Sequence, residues 1–163
     1  MVQRIEPGPG QESVWDYPRP PRLESSPRHI RVVLNGVTIA DSHHTFRVLE
    51  TSHPPVYYIP LADVQQSYLV PTQRTTFCEW KGAAQYFDVV VGDRRISHGA
   101  WQYPEPTEAF TPIQQCIAVY PGKMDACYVD DELVQAQPGD FYGGWITSDI
   151  VGPFKGSIGT WGW

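Results

Sequence analysis

The stretch His29-Ile30-Arg31-Val32-Val33-Leu34-Asn35-Gly36-Val37-Thr38-Ile39-Ala40 is two β-branched runs joined by two turn residues. A two-residue hairpin needs positive φ at both turn positions, and Asn followed by Gly tolerates that best. The segment therefore predicts an antiparallel hairpin, and its chemistry recurs along the chain. Phe46 to Glu50, Val56 to Pro60 and Tyr86 to Val91 read as strands, with Gly92-Asp93 as a turn. Thr75 to Trp80, Ile96 to Tyr103 and Ile113 to Tyr120 are further strand candidates, and Cys127 to Val134 repeats the hairpin pattern around Asp130-Asp131. One short helix is expected, over Leu61 to Tyr68, stopped by Pro71. Short strands at this spacing with one brief helix predict a mainly β domain built as a barrel or sandwich.

Composition agrees. Six Trp, nine Tyr and six Phe accompany sixteen Pro and fourteen Gly in 163 residues. That mix suits short strands and tight turns, and the length suits one domain with a proper core. The formal net charge of −6 argues against non-specific nucleic-acid binding, which needs a basic face. No apolar run approaches the length of a membrane span, and Met1 to Pro7 lacks the apolar stretch of a signal peptide, so the expected location is cytoplasmic. Cys78, Cys116 and Cys127 form no Cys-x-x-Cys pair, so neither a disulfide framework nor a zinc knuckle is expected. His43 and His44 point opposite ways on a strand and make no two-His metal site without a third ligand, which His53 or His98 could supply although the spacing promises nothing. No metal and no cofactor are expected.

Three regions differ in character. Residues 1–28 form a Pro- and Arg-rich arm, which Trp15 and Tyr17 would anchor in an extended conformation. Residues 29–136 carry the strands. Residues 137–163 are rich in Gly and aromatics, too aromatic for a flexible linker, and are expected to cover the body.

The ordered series Glu50, Pro55-Val56-Tyr57-Tyr58, Pro60, Asp63, Cys78-Glu79-Trp80-Lys81-Gly82-Ala83, Tyr86, Trp101-Gln102-Tyr103-Pro104 and Ala118-Val119-Tyr120 resembles the domain of unknown function 427 family. The arm from Trp15 to Pro20 and the tail from Gly144 to Gly156 look like a longer branch of it. The resemblance implies a β-tent fold, two antiparallel sheets leaning together over a cleft. Many β-tent domains bind zinc through two Cys-x-x-Cys pairs, and this chain has none. A nucleotidyltransferase reading gains nothing from the residues: no Gly-Ser pair leads into paired aspartates, and no phosphate-cradling Gly-rich loop is present.

Within that frame the expected cleft is aromatic, with Tyr58, Trp80, Tyr86, Trp101 and Tyr103 as ligand contacts for a planar or cationic small molecule. Tyr57 and Tyr58 face opposite sides of their strand, so at most one of them lines it. An enzyme on the same site would use Cys78 or Lys81 as nucleophile, the ammonium favouring the thiolate, and Glu50 as acid/base. The plainer alternative is a structural Cys78 with the Lys81 stem packed on Trp80. A third possibility is a protein-interaction module that grips a partner with the arm and tail. The oligomeric state and the ligand are not legible in the residues.

Overall fold

The computed structural model describes residues 2–139 and 141–163. In chain order its strands are β1 (Glu12–Ser13), β2 (Arg22–Ser26), β3 (Ile30–Leu34), β4 (Val37–Ser42), β5 (Thr45–Leu49), β6 (Val56–Pro60), β7 (Leu69–Cys78) and β8 (Gly82–Val91). They continue with β9 (Arg94–Gln102), β10 (Cys116–Val119), β11 (Ala126–Val129), β12 (Glu132–Leu133), β13 (Gln135–Ala136), β14 (Trp145–Ile146) and β15 (Ile150–Val151). Asn35 and Gly36 turn β3 into β4 with φ of 50° and 75°. Asp130 and Asp131 do the same between β11 and β12, at 48° and 69°. The fold is mainly β, with two antiparallel sheets. The larger runs β2-β5-β6-β10-β9-β8-β7 and the smaller β12-β11-β3-β4. β1 and β15 form a short parallel pair, and β13 and β14 a short antiparallel one.

The side-chain alternation of the strands builds two cores on opposite faces of the larger sheet. Tyr57, Ile59, Phe87, Val89, Ala100, Ile117 and Val119 face the smaller sheet, where Ile30, Val32 and Leu34 meet them. Their neighbours Tyr58, Tyr86, Trp101, Ala118 and Tyr120 point to the other face. β10 is buried throughout because both its faces are covered. Phe110 and Ile113, from the 3-10 segment Glu108–Ile113, close part of the second core.

The structure differs from the sequence reading in two elements. Leu61 to Tyr68 is not one helix but two single 3-10 turns, Leu61–Asp63 and Gln66–Tyr68. Val64 between them is held instead in a bridge to Ala40. Residues 22–26, grouped with the arm by composition, form the edge strand β2 paired along β5. Its polar sequence suits an edge. Pro71 sits in β7, the opposite edge strand, where a missing N–H costs least.

The arm and tail hold each other. Val14 and Tyr17 pack with Leu49 and Ile150, and the Trp15 indole donates to the Pro153 carbonyl at 2.9 Å. The half-buried Arg47 ties Glu12 of the arm (2.7 Å) and Glu24 of β2 to the body. Among the described residues no helix is long and apolar enough to cross a membrane.

Candidate functional site

One row of side chains crosses the second face of the larger sheet. Phe46 pairs with Tyr58, Ala118 with Trp101, and Trp101 with Tyr86. Ala118 is small, so the Trp101 indole reaches past it and donates to the Tyr58 hydroxyl at 3.3 Å, the two rings edge-to-face. Tyr103 joins them, its ring 6.3 Å from Tyr58. Burial pushes the phenols of Tyr58 and Tyr103 above the ordinary tyrosine range, which keeps both protonated.

The expected ligand contacts Tyr58, Trp80, Tyr86, Trp101 and Tyr103 share this face with Cys78, whereas Glu50 lies apart beside Arg19 and His53. Tyr58 is 1% exposed, and Tyr86, Trp101 and Tyr103 are also buried, so these four form the layer beneath the surface. Trp80 and Cys78 are half-buried at the β7–β8 hairpin, where Cys78 pairs with Gly82. Gly82 takes a φ of 107°, and a Cβ there would lie 3.2 Å from the Glu105 carbonyl, so both backbone and space favour glycine. Lys81 stands over the Tyr103 ring at 5.8 Å. Tyr86 is the member that lines a cavity. This cavity, of about 310 Å³, is enclosed by Arg74, Tyr86, His98, Tyr120, Lys123 and Phe141. Tyr120 and Lys123 also wall a neighbouring hollow of about 130 Å³ that reaches Gln137 and Tyr142.

Glu50 lies 3.3 Å from Arg19 and 3.6 Å from Nε2 of His53. His53 comes beside Glu50 in a polar setting that its position in the chain does not announce. Its Nδ1 accepts from the Gln137 amide at 3.1 Å. The orientation of that amide is set by its other partners, since Nε2 also donates to the Lys155 carbonyl and Oε1 accepts from the Gly144 N–H. The imidazole proton is therefore held on Nε2, facing Glu50. Burial, together with the positive charges of Lys155, Arg19 and Lys81, lowers the His53 pKa to about 3. The ring is neutral at physiological pH. Cys116 and Cys127 are buried, and burial pushes the Cys116 thiol up to about 11 and that of Cys127 higher still. Among the described residues no cluster of three or more His, Cys, Asp or Glu side chains is arranged to hold a metal ion.

A family model described as a domain of unknown function (DUF427) matches residues 22–130. The chain belongs to that family. A search of curated proteins found no match. The DUF427 match begins at the first residue of β2 and ends in the turn after β11. It thus contains the aromatic row, Cys78, Lys81, Glu50 and His53. Gln137, Phe141, Tyr142 and Lys155 lie beyond it, so the tail completes both the cavity wall and the setting of His53. No local sequence signal marks these partners. A glutamine 84 positions away becomes a histidine's neighbour only through the fold.

Proposed function

We propose that this DUF427 protein binds a small molecule in the aromatic-lined cleft on the outer face of the larger sheet. The observation that carries the reading is the cavity of about 310 Å³ lined by Tyr86, Tyr120 and Phe141, with polar groups confined to Arg74, His98 and Lys123. Concave, aromatic-walled spaces with a few polar groups are the usual form of small-molecule sites. Trp101 packs beside Tyr86, with 6.5 Å between ring centroids, and Tyr58 and Tyr103 belong to the same buried cluster, so the cavity wall is anchored in a packed layer. Titrating 2-naphthoate into uniformly 15N-labelled protein tests it. Chemical-shift changes are expected to concentrate at Tyr86, His98, Tyr120 and Lys123. Changes scattered over the surface, or none up to millimolar probe, overturn the proposal.

A catalytic reading with Cys78 or Lys81 as nucleophile and Glu50 as acid/base has one observation in its favour. Cys78 is the thiol that is not buried, and it lies on the same face as Lys81. A thiolate nucleophile requires Cys78 to alkylate with iodoacetamide faster than free cysteine at neutral pH. A rate at or below that of free cysteine removes Cys78 from any catalysis.

A further inference from the structure

Eight of the nine arginines lie within ion-pair distance of a carboxylate. The remaining cations are Arg74, Lys81, Lys123 and Lys155, and among the described residues none of them has a carboxylate within 4.0 Å. Each stands instead over a tyrosine ring: Arg74 over Tyr86 at 4.9 Å, Lys123 over Tyr120 at 4.8 Å, Lys81 over Tyr103 at 5.8 Å and Lys155 over Tyr142 at 5.7 Å. The chain carries 18 acidic residues against 12 basic ones, so it has no shortage of carboxylates to pair with. Its unpaired positive charge is concentrated on the one face that also holds the aromatic cleft.

The two ends of that face differ. Near Lys81 the hairpin is bordered by the exposed Glu79, Glu105 and Glu108, which make that end mixed in charge. Among the described residues, the cavity between Arg74 and Lys123 has no acidic residue in its lining. Asp88, which holds the backbone of the lining residue His98, is already engaged. It accepts from the Arg95 side chain and from the His98 N–H, both at 2.9 Å. Arg74 makes no side-chain hydrogen bond among the described residues, and Lys123 makes one long one, 3.4 Å to the Ser97 carbonyl. Two cations held by rings rather than by counter-charges lose little when an anion arrives. A cationic ligand, by contrast, would face both of them.

We infer that the ligand of this cavity is a planar, aromatic or conjugated molecule bearing a phosphate or carboxylate, with the anion between Arg74 and Lys123 and the plane against Tyr86, Tyr120 and Phe141. The inference rests on the reading of the cleft as a small-molecule site and names its ligand class. It excludes the cationic ligands that an aromatic wall alone would also accept.

Calorimetric titration with a matched naphthalene series tests it: 2-naphthyl phosphate, 2-naphthoate, neutral 2-naphthol, 2-naphthylmethylammonium and inorganic phosphate alone. Both anionic naphthalenes are expected to bind at least about tenfold tighter than 2-naphthol. Raising the salt from about 50 to about 300 mM should weaken them, as partly exposed charges are screened. The ammonium compound should not bind, and the ratio of the two anions identifies which group the site prefers. Arg74→Gln with Lys123→Gln should abolish the preference, bringing both anionic naphthalenes to the affinity that the same variant shows for 2-naphthol. Both side chains are exposed enough for the fold to survive, which circular dichroism checks. If 2-naphthol binds as tightly as the anions, the anionic class is wrong while the cleft reading stands. If inorganic phosphate binds as tightly as 2-naphthyl phosphate, the plane contributes nothing and the inference falls. If no naphthalene binds, the cleft reading falls and takes this inference with it.

Discussion

His53 shows how a single side chain can be set by its surroundings rather than by its sequence neighbours. Its burial and the three nearby cations hold the imidazole neutral, with a pKa of about 3, well below the ordinary histidine value. The unfolded chain takes up a proton near pH 6.5, and the folded chain does not until about pH 3. Because the folded pKa is depressed, the unfolded state binds more protons through that window, and stability falls as the pH falls. The slope is about 1.4 kcal/mol per pH unit, full only below the unfolded pKa. Between pH 7 and pH 5 this one group should cost the folded state about 2 kcal/mol. Urea unfolding of the wild type and of His53→Gln at both pH values checks it. The wild type should lose about 2 kcal/mol more than the variant over that interval. Equal losses would mean that His53 charges freely in the folded protein. The same geometry bears on chemistry: an imidazole that stays neutral keeps its Nε2–H on the side of Glu50, 3.6 Å away, but does not act as a proton shuttle near neutrality.

The elements were legible in the sequence where the reason for them is local. Asn35-Gly36 turns where its two residues require it to, and the split of Tyr57 from Tyr58 across the sheet follows from strand alternation alone. Elements whose reason is distant were not. Arg22-Leu23-Glu24-Ser25-Ser26 has weak strand chemistry and becomes β2 because β5, 19 positions on, offers it a free edge. Leu61 to Tyr68 has helix-tolerant residues, but its middle is captured by β4 through the Val64–Ala40 bridge, which leaves only one turn on each side. The site divides in the same way. The sequence pointed to the aromatic row, all of it on one face, because alternating aromatics are visible in a strand. It did not reveal which of them are covered, since that depends on the tail. Gly143 illustrates the point. It presses against the Trp101 ring so closely that any Cβ would overlap it, and nothing in Tyr142-Gly143-Gly144 announces Trp101 as its neighbour.

At the scale of the whole molecule, the DUF427 match and the folding unit do not coincide. Residues 22–130 supply every strand of both sheets except β12, yet the first core contains Trp145, which lies 15 positions past the match and is 0% exposed. Its ring packs on Tyr57 at 5.0 Å, and its backbone N–H donates to the Pro55 carbonyl at 2.8 Å. The tail is thus part of the core and not a loose extension of it. Removing that indole should open a cavity between the sheets, so Trp145→Ala is expected to lower the unfolding free energy by about 3–5 kcal/mol. Trp145→Phe should cost far less, because among the described residues the buried indole N–H has no acceptor and the phenyl ring removes that donor. Trp161, 62% exposed in the same tail, serves as the control, and Trp161→Ala should stay within about 0.5 kcal/mol of the wild type. Denaturant unfolding followed by circular dichroism and by tryptophan fluorescence distinguishes the cases. If the tail belongs to the core, both probes report one shared transition, and it shifts as a unit in Trp145→Ala. A loss below about 1 kcal/mol, or a fluorescence transition that precedes loss of the sheets, would show instead that the tail docks on an already complete two-sheet body.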